Sequence, residues 1–527
     1  LINEGAAKED LAASIFQAVV NQTISGLACG KPIRGHVAFL GGPLHFLSEL
    51  RKRFIETLNL TDETTIIPEK SHLFAAFGAA VSAKEDTRVL SLETFMNDLD
   101  NLKGLKMEVS RLEPLFKDEE EYAAFTERHK AESVERVDLS TYSGNAFLGI
   151  DAGSTTTKTA LVSDKGELLW SFYASNEGNP LKVVTKALNE LYSLMPKDVK
   201  IKNSCVTGYG EGLIKQALMV DLGYIETVAH YKAASFFKPD VDFILDIGGQ
   251  DMKCFKIRNS TIDNIYLNEA CSSGCGSFLQ TFANALHYSA DEFSKLGLFS
   301  KNAVDLGSRC TVFMNSSVKQ AQKDGVSTED ISAGLSISVV KNAIYKVIRP
   351  SSIEELGKKI VVQGGTFLND AVLRAFEREL GINVVRPVIA GLMGAYGCAL
   401  DAQAHDKEKS SIISAEELKN FHHEVKNVNC GLCSNNCLLS VNTFSGGRKY
   451  IAGNKCERPV TKRISDSKYN IYKYKQELLS SYKNMKGKRR EVIGLPLGLN
   501  MYELVPFWHK FFETLGFGVE VSPFSNR

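Results

Sequence analysis

Two stretches of the sequence place an aspartate directly after an apolar run and before a glycine-rich turn. The first, FLGIDAGSTTTK, contains Asp151, and the second, FILDIGGQD, contains Asp246. An apolar run that ends in such a turn is typical of a strand followed by a tight bend. A carboxylate beside phosphate would be repulsive unless a divalent cation lies between them. The pattern therefore predicts a phosphate site that also holds Mg²⁺.

The candidate residues of this site divide by chemistry. Asp151, Asp246 and Asp251 are candidates for holding Mg²⁺ and water, and Gln250 is a candidate for orienting the attacking water. A third stretch, VVQGGTFLND at 361–370, predicts a strand and a glycine pair that a flat base or ribose can approach. The candidates for nucleotide binding are Gly153, Ser154, Thr155, Thr156, Lys158, Gly248, Gly249, Gly364, Gly365 and Asn369. Taken alone, the first stretch is equally compatible with an ordinary hairpin carrying surface hydroxyls.

The cysteines form two further groups. Cys271 and Cys310 lie in the stretches NEACSSGCGSFL and LGSRCTVFMN, and a helix predicted after Cys271 would favour a thiolate or an anionic cluster at its start. Two buried cysteines that act as small hydrophobic residues are the alternative. The second group has the spacing CxxCx₃C followed by a distant fourth cysteine, which suits a closed site for Zn²⁺ or an iron–sulfur cluster. Its members are Cys430, Cys433, Cys437 and Cys456.

An internal repeat indicates which elements position these residues. Residues 5–42 and 325–365 both run from a Gly-x-x-x-Glu-Asp helix start, through an amphipathic helix, to an apolar strand that ends in Gly-Gly. We therefore expect five regions along the chain. They are the C-terminal part of a first repeat (1–85), a charged and solvated helical connector (86–145), a complete domain (146–404), a linker with a Cys₄ module (405–490), and the start of a further α/β domain (491–527).

Composition limits the functional class. The 527 residues carry 62 basic and 62 acidic side chains, so no net charge favours nucleic acid or an anionic membrane. No uninterrupted apolar run is long enough to predict a transmembrane helix. Eleven cysteines without a secretory leader favour a reducing cytoplasm. The chain begins at Leu1, and we expect it to be part of a longer protein.

The three strand-to-glycine turns, in this order, resemble the nucleotide-binding core shared by actin, Hsp70 chaperones and sugar kinases. The resemblance spans roughly residues 146–404. It implies an α/β fold of the actin/Hsp70-like (ribonuclease H-like) class, a two-lobed ATPase with ATP and Mg²⁺ in the cleft. The partial tandem repeat and the small Cys₄ module are additions to that fold.

A closer resemblance is to the activator ATPases of 2-hydroxyacyl-CoA dehydratases, relatives of the ATPase subunits of benzoyl-CoA reductase. It is carried by GIDAGSTTTK, TGYG at 207–210, DIGGQD, the glycine pair at 364–365 and the two cysteine stretches. It implies that Cys271 and Cys310 are ligands of a [4Fe–4S] cluster held between two subunits. The sequence departs from the family pattern at Ser277 and Glu211, where basic residues are usual.

The resemblance also implies a function. ATP hydrolysis would drive low-potential single-electron transfer from the cluster to a dehydratase or reductase-like partner or fused domain. The electron donor would be reduced ferredoxin or flavodoxin, and the protein would act in the cytoplasm as part of anaerobic metabolism. The ATPase would work as a dimer or as an intramolecular pseudo-dimer of its repeats. Two alternatives stay open: a sugar or carboxylate kinase of the same fold, and a nucleotide-sensing scaffold.

Overall fold

Two units make up the chain, Leu1–Phe421 and His422–Arg527. The structure, a computed structural model, describes residues 7–28, 33–83, 91–102, 111–176, 178–268, 275–308, 311–350, 352–405, 407–461 and 471–523. The described helices are α1 Lys8–Ala28, α2 Gly42–Phe46, α3 Ser48–Thr57, α4 Phe74–Ala83, α5 Leu92–Leu102, α6 Glu119–Lys130, α7 Pro180–Leu194, α8 Glu211–Leu218, α9 Glu226–Phe237, α10 Gly276–Ala285, α11 Ala290–Leu296, α12 Thr311–Lys323, α13 Thr328–Asn342, α14 Asp370–Leu380, α15 Met393–Ala404, α16 Ala415–Lys419, α17 Arg458–Thr461, α18 Ile471–Ser480 and α19 Met501–Thr514. The described strands are β1 Val37–Ala38, β2 Thr65–Ile66, β3 Gly144–Ala152, β4 Thr156–Ser163, β5 Leu168–Ser175, β6 Val199–Thr207, β7 Leu222–Gly223, β8 Phe243–Ile247, β9 Met252–Arg258, β10 Thr261–Asn268, β11 Ile360–Gln363, β12 His423–Asn429, β13 Leu438–Phe444, β14 Lys449–Ala452, β15 Val492–Leu495 and β16 Gly518–Val521.

Two lobes of related topology form the centre of the first unit. The first lobe has a five-stranded sheet in the order β5-β4-β3-β6-β7, and the second has a four-stranded sheet in the order β10-β9-β8-β11. In each, the central strand, β3 or β8, pairs antiparallel with the strand that follows it and parallel with a later one. The predicted two-lobed α/β fold is confirmed, and so is the hairpin predicted after Asp151.

Helix α15 closes the first lobe. It packs on β3, β4 and β6 and against α9, and its residues from Met393 to Ala402 are buried. Small residues allow the close approach. A Cβ atom added at Gly149 of β3 would lie 1.9 Å from the carbonyl oxygen of Ala395, and one added at Gly397 would lie 1.9 Å from that of Ala229. The strand, α15 and α9 are therefore stacked at backbone contact distance.

The N-terminal segment repeats the geometry of the second lobe. Gly41 has φ 93° and ψ 162°, and Gly364 has φ 89° and ψ 158°. The amide of Gly41 donates to the carbonyl of Ser71 at 3.0 Å, and that of Gly364 donates to the carbonyl of Ala390 at 2.8 Å. Both turns follow a short strand that lies parallel to a later segment. The two copies therefore share a local backbone conformation at the glycine pair.

The corresponding helices differ in burial. Helix α4 is largely apolar, yet none of its residues is buried, and Phe77 and Val81 are more than half exposed. Its counterpart α15 is buried along most of its length. Assignment of residues 1–85 to the end of a first repeat stays a prediction.

The connector is helical, as expected, but its second half is not solvated. Leu115, Phe116 and Phe125 are buried in the core of the second lobe, and Tyr122 donates a hydrogen bond to Asp370 at 2.9 Å. Further along, Leu168 of β5 donates to the carbonyl of Glu135 at 2.8 Å. Residues 111–141, which we call the strap, therefore touch both lobes. The charged composition had concealed the few aromatic residues that anchor it.

The contribution of the strap to stability can be tested at Glu377 of α14, which contacts Arg128 and His129 of the strap. Burial alone would raise the pKa of this carboxyl, but hydrogen bonds from His129, Arg128 and the amide of Val384 lower it to about 2. A carboxylate with a depressed pKa stabilises the folded state above its unfolded pKa, near 4.5, and that stability is lost as the pH falls toward 2. We expect Glu377→Gln to lower the free energy of unfolding by about 3 kcal/mol at pH 7. Urea unfolding between pH 7 and pH 3 would show the difference from wild type shrinking with acidity.

The matched control for this test is Glu127→Gln on α6, the helix that carries Arg128 and His129. The Glu127 side chain is 80% exposed and lies 3.8 Å from Lys130, so its removal is expected to change the free energy by less than about 0.5 kcal/mol. A loss at Glu377 that is equally large at pH 3 and pH 7 would contradict the electrostatic origin.

The second unit contains two small sheets. β12, β13 and β14 are antiparallel, and β13 and β14 form a hairpin around SGG at 445–447. β15 and β16 are parallel and precede and follow α19 in the chain, an order that is consistent with the expected start of an α/β domain.

One helical stretch among the described residues, Thr328–Ile348, is long and apolar enough to cross a membrane by length and composition. Of its most apolar window, 72% is buried inside the protein, as in the core helix of a soluble protein.

Candidate functional site

A cleft with a cavity volume of about 580 Å³ collects the sequence-predicted nucleotide residues. It lies where the carboxyl ends of β3 and β8 meet the turns that follow them. All the predicted phosphate, base and Mg²⁺ residues line it: Asp151, Gly153, Ser154, Thr155, Thr156, Lys158, Asp246, Gly248, Gly249, Asp251, Gly364, Gly365 and Asn369. Asn369 also caps α14 through hydrogen bonds from the amides of Ala371 and Val372.

Gln250 is placed differently from its neighbours. Its side chain is exposed, and it does not line the cleft, although Gly249 and Asp251 on either side of it do. The role assigned to Gln250 from the sequence stays a prediction, and the structure does not bring this residue to the other candidates.

The turn after β3 is held in shape from outside the predicted motif. Asn176, which is buried, donates to the carbonyl of Gly153 at 2.7 Å and accepts from the hydroxyl of Thr157 at 2.6 Å. Its own amide donates to the carbonyl of Thr155 at 2.8 Å. Asn176 therefore fixes the tip of the β3–β4 hairpin. The sequence motif gave no signal for it because Asn176 lies outside the motif, directly after β5.

Each central strand carries an aspartate at its second-last position, and this aspartate lies opposite a lysine seven residues later in the chain. Asp151 pairs in register with Lys158, and Asp246 pairs with Lys253. The Lys158 ammonium lies 3.1 Å from Asp151. Burial lowers the pKa of Lys158, but the charge of Asp151, its hydrogen bond to the lysine and the nearby Tyr173 and Asp246 together outweigh this and leave the pKa raised. Sequence reasoning missed Lys253, which the shared Asp-x₆-Lys spacing would have revealed.

Lys253 ties together two carboxylates at the cleft. Its ammonium lies 2.5 Å from Asp251 and 2.7 Å from Glu226, the first residue of α9. Burial lowers the pKa of Lys253, but Glu226 and Asp251 raise it well above its usual range, so the lysine stays charged. Glu226 also lines the cleft and was not predicted, since its motif, IETVAH, has no glycine turn.

A buried histidine joins the two sides of the site. His230 lies 3.5 Å from Asp246 and 3.8 Å from Glu226, and its Nδ1 is 2.7 Å from Nε2 of Gln363. A Cβ atom added at Gly394 would come within 3.0 Å of both the Asp151 carboxyl and His230. Glycine at this position therefore lets α15 pack directly against Asp151 and His230 at the base of the cleft.

The cleft has buried oxygen atoms that suit a hard cation. Asp151 Oδ1 and Asp246 Oδ1 are buried and have no hydrogen-bond partner within the described residues. An orphaned carboxylate oxygen is unfavourable unless a ligand satisfies it. Mg²⁺ is commonly held by one or two carboxylates together with water and substrate phosphates. The two aspartates therefore fit a Mg²⁺–phosphate ligand.

The turn after β8 is hydrogen-bonded to the start of α10. The amide of Gly276 donates to the carbonyl of Gly248 at 2.9 Å, and that of Ser277 donates to the carbonyl of Gly249 at 2.7 Å. The hydroxyl of Thr366 donates to the carbonyl of Gly248 at 3.1 Å. The phosphate turn and this helix start are therefore one connected structure.

Cys271 and Cys310 lie outside the described residues. The first falls between β10 and α10, and the second immediately precedes α12. Cys275, at the N-cap of α10, is buried in the core of the second lobe. The ligand assignment for Cys271 and Cys310 stays a prediction.

The four cysteines of the second unit are not gathered at one point. Cys430 and Cys437 face each other across the loop between β12 and β13, where the amide of Cys430 donates to the carbonyl of Cys437 at 2.8 Å. Cys433 and Cys456 are exposed. Within the described residues no three His, Cys, Asp or Glu side chains lie close enough to hold a metal ion. A site at Cys430, Cys433, Cys437 and Cys456 therefore stays a prediction.

Comparison with known proteins assigns two regions to families. Residues 148–402 match the BadF/BadG/BcrA/BcrD ATPase family, and residues 492–527 match an uncharacterised domain of CoA enzyme activases. The first match covers both lobes of the cleft, and the second covers β15, α19 and β16.

Individual relatives agree with the first match. The chain is 32% identical to the 2-hydroxyisocaproyl-CoA dehydratase activator of Clostridioides difficile, over 52% of this chain and 99% of that protein. It is 33% identical to the (R)-2-hydroxyglutaryl-CoA dehydratase activating ATPase of Acidaminococcus fermentans, over 48% of this chain and 96% of the relative. A solved structure of the activator from Clostridium difficile, with bound ADPNP, is 30% identical and aligns with a TM-score of 0.44 over 54% of this chain and 99% of that one.

Proposed function

The chain belongs to the BadF/BadG/BcrA/BcrD ATPase family and is an ATPase, and we propose that its turnover of ATP activates an acyl-CoA dehydratase or reductase-type partner. Activation consists of single-electron transfer at low potential. Its relatives are activators of 2-hydroxyacyl-CoA dehydratases, and this chain shares with them the whole of the two-lobed ATPase.

The observation that carries this proposal is the link between the Gly248–Gly249 turn and α10. The turn lines the nucleotide cleft, and its two carbonyls accept hydrogen bonds from the first amides of the helix that follows the Cys271 segment. A ligand that prefers one position of the turn also changes the energetics of whatever moves with it. Gain or loss of the terminal phosphate thus alters the position of α10, the helix that follows Cys271 in the chain.

The chain's own groups perform the binding steps. Turn amides and the hydroxyls of Ser154 and Thr155 grip the phosphates, and Lys158 offsets their charge. Asp151 and Asp246 would hold Mg²⁺, which would neutralise charge on the phosphate oxygens when bound. The Gly364–Gly365 pair receives the base and ribose.

Electron transfer requires a redox group near the cleft. We assign Cys271 and Cys310 as ligands of a [4Fe–4S] cluster shared between two copies of the ATPase, in a dimer or in a pseudo-dimer of repeats. The group supplies a one-electron couple whose potential depends on charge, hydrogen bonds to sulfur and exposure. Reduced ferredoxin or flavodoxin is the proposed donor, and the cytoplasm of an anaerobe is the proposed location.

The remaining regions keep supporting roles in the proposal. Residues 1–85 are the end of a first ATPase repeat, and 491–527 begin a dehydratase-like domain that is part of the activation machinery. Cys430, Cys433, Cys437 and Cys456 bind a second metal group, either Zn²⁺ or an iron–sulfur cluster.

Air-free purification with iron, zinc and sulfide analysis and EPR tests the redox assignment. We expect the wild type to contain a cluster that is lost in Cys271→Ser, because removal of one thiolate ligand opens the site. Cys430→Ser should remove only the second metal group, and the element lost identifies it. Cys254→Ala, which changes a buried cysteine of β9, is the matched control and should retain both.

Two other outcomes would contradict the proposed redox function. Colourless air-free protein that still consumes ATP contradicts the redox function. ATP-dependent phosphorylation of a sugar or carboxylate, with no iron present, would instead establish the kinase alternative.

A further inference from the structure

One requirement of ATP hydrolysis is not met by the residues predicted from the sequence. The attacking water needs an acceptor that orients it toward the terminal phosphorus atom. Gln250 was the candidate, but its exposed side chain lies outside the cleft lining. Asp151 and Asp246 are assigned to Mg²⁺, and Asp151 is also paired with Lys158. Asp251, the third predicted carboxylate, is paired with Lys253 at 2.5 Å.

Glu226 has the position and the freedom that this task requires. It is the first residue of α9 and lines the cleft, and its side chain retains 23% exposure. Within the described part of the chain, Lys253 at 2.7 Å and His230 at 3.8 Å both contact Oε1. Oε2 has no hydrogen-bond partner among the described residues and keeps its lone pairs for a ligand.

The contacts also fix the carboxylate. Lys253 is itself held by Asp251 at 2.5 Å and comes from the strand that pairs with β8. His230 lies one turn along α9 from Glu226 and is wedged against Asp246 and Gln363. A carboxylate held on one oxygen by a buried lysine, with a buried imidazole packed beside it, presents its other oxygen in a defined direction. Burial also raises the pKa of Glu226 above its usual value, which brings it nearer to that of a useful proton acceptor.

We propose that Glu226 orients the attacking water of ATP hydrolysis and accepts its proton, an inference that rests on the proposed nucleotide site. The water oxygen forms a bond to the terminal phosphorus, and the bond from that phosphorus to the bridging oxygen breaks. The bridging oxygen leaves with the electron pair as part of ADP. The proton passes to Glu226 Oε2 and from there to solvent with the released phosphate.

The test compares four variants of the full chain with wild type. Glu226→Gln keeps the size of the side chain and removes the proton acceptor, so kcat should fall about 10²- to 10⁴-fold. The dissociation constant for ADPNP should stay within about threefold, and thermal unfolding should be unchanged. Glu211→Gln is the matched control, because Glu211 is likewise the first residue of its helix, α8, and does not line the cleft; its kcat should equal that of wild type.

Gln250→Ala decides between the two candidates. A kcat within about threefold of wild type supports Glu226, whereas a large loss there with normal turnover in Glu226→Gln overturns the proposal. An equal loss of ADPNP binding and of turnover in Glu226→Gln also overturns it, since that result describes a binding or packing role. If Asp246→Asn hydrolyses ATP normally as well, the nucleotide site itself is misassigned; if only Glu226→Gln does, the site stands and this inference fails.

Discussion

The variant Asp246→Asn is expected to hydrolyse ATP about 10²- to 10³-fold more slowly than the wild type. Asp246 is at the second-last position of β8, and its Oδ1 is buried without a partner among the described residues. Asparagine keeps the shape but removes the charge that would hold Mg²⁺ and its water. Phosphate release at saturating ATP, measured over a range of Mg²⁺ concentrations, should show both a lower maximum rate and a higher Mg²⁺ requirement.

The control for this variant immediately precedes the same strand. Asp242, just before the start of β8, accepts hydrogen bonds from the amides of Lys358 and Lys359, each at 3.1 Å, and is not among the residues that line the cleft. Asp242→Asn should cost about 1 kcal/mol of stability and leave turnover within about twofold of wild type. Equal rates for the two variants would remove Asp246 from the site.

The variant Gly149→Ala is expected to lower the free energy of unfolding by about 3 kcal/mol or more. The added Cβ atom would lie 1.9 Å from the carbonyl oxygen of Ala395 and 2.4 Å from the amide nitrogen of Ala399. Both are backbone atoms of α15, so the clash cannot be relieved by a rotamer change and the helix must move off β3. Thermal unfolding and the yield of soluble protein would report the loss.

Gly42→Ala provides the comparison for that substitution. A Cβ atom at Gly42 meets nothing within 4 Å, and its backbone is not in the left-handed region. Its effect is expected to be within about 0.5 kcal/mol of zero. If Gly149→Ala unfolds at the wild-type temperature, α15 does not approach β3 as closely as described.

The glycine turns were predictable because each carries its own local signal. In each, an apolar run is followed closely by one or two glycines, and in two of the three an aspartate ends the run, so the sequence specified both the strand end and the residues that line the cleft. Glu226 and His230 have no such signal. They come from the first two turns of α9, and only the meeting of the two lobes brings His230 beside Asp246 and Glu226 beside Lys253.

The strap was missed for a different reason. Its acidic run suggested a solvated helix, because charge dominates its composition, and composition says little about a few aromatic anchors. The side chains of Phe116 and Phe125 on the strap are buried, and Arg128 forms a salt bridge with the buried carboxylate of Glu377 on α14. The domain boundaries and the metal groups at the cysteines depend on residues that no local pattern could place in space, and they remain predictions.

The strap has a mechanical consequence for opening of the cleft. Arg128 anchors it to one lobe, and Glu135 anchors it to the edge of β5 in the other, with Ala131 to Val134 between the end of α6 and the second anchor. A stretch of that length reaches about 14 Å when fully extended. The strap therefore limits how far the two lobes can separate. Once residues 131–134 are fully extended, further opening must break the Arg128–Glu377 salt bridge or the hydrogen bond between Glu135 and β5.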